Sequence, residues 1–387
     1  MSNFRSSHIA AVYLAFGLAM PAVVLADNVQ KLPSFNVDIS QTSVSGLSSG
    51  AFMSVQLGFA HSSIIKGVGV VAGGPYYCAQ DNVSKATQIC TCTALLSSMC
   101  KNTPGATDIN TLNAKVAQFS QSKAIDDPAN VRQQRIYLYG GAKDVIVPPP
   151  VFDDLQKFYG NFADPANIQV AGSPDANHTM PTPGYGNECS KLGNPFISKC
   201  DSDTAGDILN WIYGSLQPAQ TGTLKGRLLQ FNQREFSPNM YMGGMDSTAW
   251  LYVPAPCDTG EKCKIHVVLH GCNQGQSYIP TNGSGENGGL YYGLQYVKDT
   301  GYNAWADTNN IIVLYPQAVV TATNPQGCWD WWGYADPNYA TKSGGQIKAI
   351  RAMIDRIAAG NKSNSGKNKS TKTSSACKLD KALCPAS

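Results

Sequence analysis

Ser48 is the side chain best placed by its neighbours to do chemistry. It is the middle residue of Gly46-Leu47-Ser48-Ser49-Gly50, a G-x-S-x-G match. A serine in that pattern is a nucleophile where a strand ends in a tight turn and a helix follows at once, so that Oγ projects from the end of a sheet. Residues 35–44 read as the strand, and residues 51–60, AFMSVQLGFA, as a helix with a strongly apolar face. The N–H of Ser49 would then face the oxygen of an attacked carbonyl. Gly and Ser are common in this chain, so the rival reading is a polar surface turn. The flanking strand and helix favour the nucleophile.

A serine needs a base, and the base needs a group to orient it. The chain has five histidines. His8 lies in an apolar N-terminal stretch. His61 falls at the far end of the helix after Ser48, about 20 Å along it. His266 is inside an apolar strand and His270 closes that strand in a His-Gly turn. His178 alone sits in a polar loop after a strand, where an α/β-hydrolase keeps its base. The acid belongs between serine and histidine at a strand end, and Asp144 fits, following Tyr137-Leu138-Tyr139-Gly140-Gly141-Ala142-Lys143. Its rivals Asp126, Asp127, Asp153 and Asp154 fall in a loop or on a helix. The second oxyanion donor should come from an HG-type loop after a strand. His270-Gly271-Cys272 is such a loop, with the N–H of Cys272 as donor.

These groups need a frame. Strands are expected at 67–72, 135–139, 168–170, 265–269 and 311–315, and helices at 108–123, 151–162, 204–216, 289–300 and 345–359. Strands alternating with helices predict an α/β fold with a mostly parallel central sheet flanked by helices. Residues 224–253 hold strand-like pieces and no good helix. Gly283-Ser284-Gly285-Glu286-Asn287-Gly288 fits G-x-G-x-x-G, but no strand closely precedes it, so it reads as a loop. The usual α/β-hydrolase has its HG strand before the nucleophile, whereas here it comes long after. A circular permutation of the α/β-hydrolase fold accounts for that order. Two unrelated domains would leave the first half with too few strands and no second oxyanion donor.

The first 26 residues read as a signal peptide. Arg5 is the positive flank, Ile9 to Met20 is apolar, and Val24-Leu25-Ala26 fits a cleavage site. The apolar run is too short for a confident membrane span. The chain is therefore expected to be secreted or periplasmic, with residues 27–360 as one catalytic domain. Residues 361–387 are a Lys/Ser-rich flexible tail ending in a Cys pair. All twelve cysteines follow the cleavage site, and in an exported protein they read as disulfides. Local pairs would be Cys189–Cys200, Cys257–Cys263 and Cys377–Cys384. The pairing of Cys78, Cys90, Cys92 and Cys100 stays open. A metal site at Cys90-x-Cys92 with Cys100 lacks a nearby histidine or a C-x-x-C pair, so neither metal nor cofactor is expected. The leader and tail aside, the body carries 22 basic and 25 acidic side chains. A slightly acidic body argues against nucleic acid as a partner.

Several segments together resemble poly(3-hydroxybutyrate) depolymerases of the circularly permuted, single-domain type. They are Ser45-Gly46-Leu47-Ser48-Ser49-Gly50-Ala51-Phe52-Met53, Ala72-Gly73-Gly74-Pro75-Tyr76-Tyr77-Cys78, His178-Thr179-Met180-Pro181-Thr182, Leu269-His270-Gly271-Cys272 and Gly327-Cys328-Trp329-Asp330-Trp331-Trp332. The resemblance covers most of residues 35–358. It implies hydrolysis of short-chain polyhydroxyalkanoate esters by Ser48, Asp144 and His178, a polyester as partner, and a Cys272–Cys328 disulfide. The cystine-rich stretch Cys90 to Cys100 and the tail depart from the family pattern. Trp329, Trp331, Trp332 and Tyr334 suit an apolar polyester chain, although core packing is their simpler reading and is expected for at least one. A monomer without membrane insertion is expected. Two rival functions remain at this point: an exported esterase for small or aromatic esters, and a non-catalytic polymer-binding protein on a hydrolase fold.

Overall fold

The structure, a computed structural model, describes residues 29–93, 104–237 and 243–360. The expected signal peptide, Cys100, and the tail with Cys377 and Cys384 lie outside the described residues.

The Val/Ile/Leu-rich runs form the middle of a sheet, as strands covered on both faces require. The strands are β1 Thr42–Leu47, β2 Ile65–Val71, β3 Arg135–Gly141, β4 Ile168–Ser173, β5 Met180–Thr182, β6 Asn187–Glu188, β7 Ile197–Lys199, β8 Arg227–Asn232, β9 Thr248–Val253, β10 Lys264–Leu269 and β11 Ile311–Tyr315. Eight of them build one sheet in the order β4-β3-β2-β1-β10-β11-β9-β8, and β5-β7-β6 form a small second sheet. The large sheet is parallel from β4 to β11, and β9 and β8 run antiparallel to their neighbours.

β10 pairs directly with β1, from Ser43 opposite His266 to Gly46 opposite Leu269. A strand from late in the chain therefore lies beside the nucleophile strand, and the turns that end the two strands open side by side. This is the α/β-hydrolase sheet in permuted order, and the same sheet runs through both halves of the chain.

The first five α-helices among the described residues are α1 Ser49–Ala60, α2 Val83–Gln88, α3 Ile109–Gln121, α4 Pro149–Tyr159 and α5 Thr204–Tyr213, and α1 and α2 line the cleft described below. α1 is buried on every side rather than on one face. Phe59 alone packs against Tyr76, Phe158, Tyr159 and Phe162. β1 starts at Thr42 rather than near Phe35, because Asp38 caps a short 3₁₀ turn over Ile39–Gln41. The helix expected over 289–300 shrinks to Gln295–Asp299, since Gly288 and Gly293 take left-handed φ of 75° and 68° that end regular helix before it.

Four disulfides link described residues: Cys78–Cys90, Cys189–Cys200, Cys257–Cys263 and Cys272–Cys328. Cys92 is also disulfide-bonded. Cys90 and Cys92, both disulfide-bonded, offer no thiolate to a metal. Such a set of bridges suits an oxidising compartment. No described helix is long and apolar enough to cross a membrane.

Candidate active site

Ser48 sits between β1 and α1 with φ 57° and ψ −121°. For a residue with a side chain this is strained backbone, and the surroundings must impose it. They do so through two glycines. A Cβ on Gly46 would lie 2.4 Å from the Gly50 carbonyl and 2.7 Å from Leu269 O, and one on Gly50 would lie 2.2 Å from Leu269 O. Only hydrogen fits, so the elbow presses backbone to backbone on the end of β10. The Ser48 N–H donates to Val71 O, and its carbonyl accepts from Ala51 and Phe52. Both ends of the turn are thus tied down.

Asp144 follows β3 and is buried. Its Oδ1 accepts the N–H groups of Ile146 and Val147, each at 2.8 Å, and its Oδ2 lies 2.8 Å from Nδ1 of His178. That leaves Nε2 of His178 as the nitrogen free to act. Ser48 and His178 line one cleft of about 230 Å³. Three of the four rival aspartates are engaged elsewhere, Asp126 with Ser63 and Lys342, Asp127 as the cap of Ala129, and Asp154 with Thr107 and Lys157, and the fourth, Asp153, is exposed on α4.

Gly271 and Cys272 line the same cleft. Among the described residues, neither the Ser49 nor the Cys272 N–H donates to a protein acceptor, which leaves both free for an oxyanion. His270 aims one of them. Its Nδ1 lies 2.7 Å from Gly271 O, and its Nε2 accepts the Ala318 N–H at 3.0 Å. Nδ1 must therefore carry the proton, and it fixes the plane of the peptide that holds the Cys272 N–H. The Cys272–Cys328 bridge ties the same turn to the tryptophan loop.

The four aromatics separate into two roles. Trp331 stacks on Phe52 with centroids 4.0 Å apart, and Trp332 packs edge-on against Trp331. Both line the cleft, together with Ile146, Ala86, Thr87 and Phe196. Trp329 and Tyr334 do not line it, which corrects the expectation of substrate contact. Trp329 is 0% exposed, packs on His270, and donates its backbone N–H to Ser49 Oγ. Tyr334 braces the loop, donating to Cys328 O and accepting from Gln346. Asp330 folds that loop by accepting four N–H groups, from Gly333, Tyr334, Ala335 and Asp336. Sequence reasoning missed the contributions of Phe52, Ile146, Ala86 and Phe196, since none has a chemical signature. Among the described residues, no group of three or more His, Cys, Asp or Glu could hold a metal ion.

Among the described residues, the other three histidines are structural. His266 is fully buried between the hydroxyls of Ser43 and Ser45. Burial pushes it down to about 3, and pushes His270 and His61 down to about 4. A histidine neutral in the fold but free to protonate near 6.5 when unfolded contributes stability fully above that value and loses it as pH falls toward the folded pKa. Between pH 7 and 5, unfolded carboxylates scarcely titrate, and three carboxyls raised by burial, Asp330 to about 6 together with Asp207 and Asp299, work the other way. The three folded histidines are held below this pH window while their unfolded forms titrate inside it, so the histidines set the sign. The melting temperature should fall from pH 7 to pH 5, and a flat or rising profile by calorimetry would contradict this assignment.

An elbow serine, an Asp–His pair on the same cleft and two free N–H groups beside it, on a permuted parallel sheet, define a serine hydrolase of the α/β-hydrolase class. No protein-family profile matches the chain. The chain is 43% identical over 333 residues to a poly(3-hydroxybutyrate) depolymerase of Delftia acidovorans, covering 85% of this chain and 62% of that protein's length. It is 39% identical over 366 residues to a polyhydroxybutyrate depolymerase of Talaromyces funiculosus, covering 90% of this chain and 98% of that one. The crystal structure of a PHB depolymerase from Penicillium funiculosum matches with a TM-score of 0.74 and 38% identity, over 86% of this chain and 99% of that one. A serine-to-alanine variant of a PHB depolymerase complexed with an R3HB trimer matches with the same TM-score and coverage at 39% identity. The chain belongs to the polyhydroxybutyrate depolymerase family.

Proposed function

We propose that this protein is an exported serine esterase that hydrolyses poly(3-hydroxybutyrate) and related short-chain polyhydroxyalkanoate esters to oligomers and monomers. The observation that carries the reading is the opening of Ser48 and the Asp144-held His178 onto one cleft walled by Phe52, Trp331 and Trp332. Ser48 Oγ attacks the ester carbonyl while Nε2 of His178 takes its proton. Asp144 keeps the other ring nitrogen protonated and stabilises the imidazolium. The N–H groups of Ser49 and Cys272 hold the oxyanion, each contributing about 3 kcal/mol in comparable sites. His178 then protonates the departing alcohol, and water attacks the acyl-enzyme with His178 again as base. Residues 27–360 would form the catalytic domain after removal of the leader, and the disulfides support export.

A polyester offers carbonyl acceptors beside apolar methylene and methyl groups, which suits a cleft that sets Phe52, Phe196, Trp331 and Trp332 beside polar side chains such as Thr87, Asn273 and Gln326. Val83 also lines the cleft and is 62% exposed, so the apolar wall continues to the surface. Clearing of dispersed poly(3-hydroxybutyrate), with release of 3-hydroxybutyrate products, tests the reading; a chain active on soluble esters alone would contradict it. Trp332→Ala should slow polymer clearing roughly twofold to tenfold, the worth of one aromatic contact, and should slow a soluble p-nitrophenyl ester less. Equal losses on both substrates would mean that Trp332 serves only to build the site.

A further inference from the structure

Gln274 is buried in the wall of the cleft, and no step above uses it. Its Oε1 accepts the N–H of Gly271 at 2.7 Å. Its Nε2 donates to Pro195 O at 2.8 Å, and lies 3.4 Å from Phe196 O and 3.3 Å from the Tyr292 hydroxyl. Phe196 is not a neutral partner. Its carbonyl also accepts the N–H of Met180, at the start of the short strand that follows His178, and its ring stands edge-on to the His178 ring. One side-chain amide therefore joins the backbone of the oxyanion turn to the backbone beside the base.

The linkage needs an acceptor at one end and a donor at the other on a rigid planar group, which an amide supplies. There is no slack in it. A Cβ on Gly271 would lie 2.8 Å from Oε1 of Gln274 and 3.3 Å from Cβ of Ser48. His270 holds the Gly271 carbonyl and Gln274 holds the Gly271 N–H, so both polar groups of that residue are fixed from opposite sides.

We infer that Gln274 is a positioning residue: its amide sets the separation between the Cys272 N–H and His178, so that oxyanion donor and base meet at one tetrahedral carbon. The inference rests on the Ser48 chemistry proposed above and adds a residue to it. Gln274 touches no reacting atom, so its loss should appear in the transition state and not in substrate binding.

The test uses the full chain with Gln274→Met, which keeps the length and removes both linkages, and Gln274→Glu, which keeps an acceptor for Gly271 and loses the donor. Activity is measured on p-nitrophenyl butyrate, and affinity is measured for an alkyl boronic acid, which becomes a tetrahedral anion on a serine oxygen. Displacing a donor by a fraction of an ångström to an ångström costs about tenfold to several hundredfold in kcat. Both variants should lose kcat in that range with KM within about threefold of the wild type. Boronate affinity should fall by the same factor as kcat/KM. A folded variant with kcat within threefold of the wild type would overturn the inference, as would a kcat loss with boronate affinity unchanged. If Gln274→Met does not fold, Gln274→Glu carries the same readouts. A wild-type chain inert toward every ester would instead overturn the proposed function itself, and this inference with it.

Discussion

Ser48→Ala should abolish hydrolysis of every ester, polymeric or soluble, while leaving the fold intact. The nucleophile, base and acid act as a unit, and removing the nucleophile from such a unit costs about a millionfold in kcat. The fold should survive because the turn is held by backbone bonds of Ser48 to Val71, Ala51 and Phe52 and by the close approach of Gly46 and Gly50 to β10, none of which uses Oγ. Purified variant with the wild-type melting temperature and no turnover is the expected result. Turnover above about a thousandth of the wild-type rate would remove Ser48 from the mechanism.

Asp144→Asn should lower kcat by about four orders of magnitude, and the structure says why the amide cannot adapt. Oδ1 of Asp144 is claimed by the N–H groups of Ile146 and Val147. An asparagine must keep its oxygen there, because turning its NH₂ toward two N–H donors would leave three donors facing one another. The NH₂ then faces Nδ1 of His178, which has to accept. The ring proton moves to Nε2, and the base is lost through the wrong tautomer. A loss of less than tenfold, measured as kcat on a soluble ester, would point to another acid.

Much of this site was legible in the sequence because its geometry is enforced locally. The elbow needs Gly46 and Gly50 for packing reasons visible in the motif, and Asp144 and His178 follow strands in the order that the fold requires. The HG turn was readable for the same reason, although its strand lies far away in the chain and joins the elbow only through the β1–β10 pairing. What the sequence could not tell was which aromatic of the Trp329 to Tyr334 loop faces the cleft. Four aromatic residues look alike in a string, and the sorting is done by Asp330, whose carboxylate gathers four N–H groups and turns Trp331 outward onto Phe52 while Trp329 stays in the core. Gln274 was illegible for a different reason. Its partners Gly271, Pro195 and Phe196 offer backbone groups, which any residue has, and its one side-chain partner, the Tyr292 hydroxyl, lies 18 residues away, so no local pattern betrays it.

The Cys78–Cys90 bridge was equally hidden, since four nearby cysteines allow three pairings. It braces the segment that carries α2, and α2 supplies Ala86 and Thr87 to the cleft wall. Thr91 and Thr93, from the cystine-rich stretch that begins at Cys90, also line the cleft.

Covalent labelling tests the central claim most directly. The protein is treated with a p-nitrophenyl alkylphosphonate, which phosphonylates an activated serine, and is then digested and mapped by mass spectrometry while clearing of dispersed poly(3-hydroxybutyrate) is followed in parallel. The account predicts one phosphonyl group, on Ser48, with polymer hydrolysis lost in proportion to labelling. A label on another residue, or full polymer hydrolysis after complete labelling of Ser48, would contradict it.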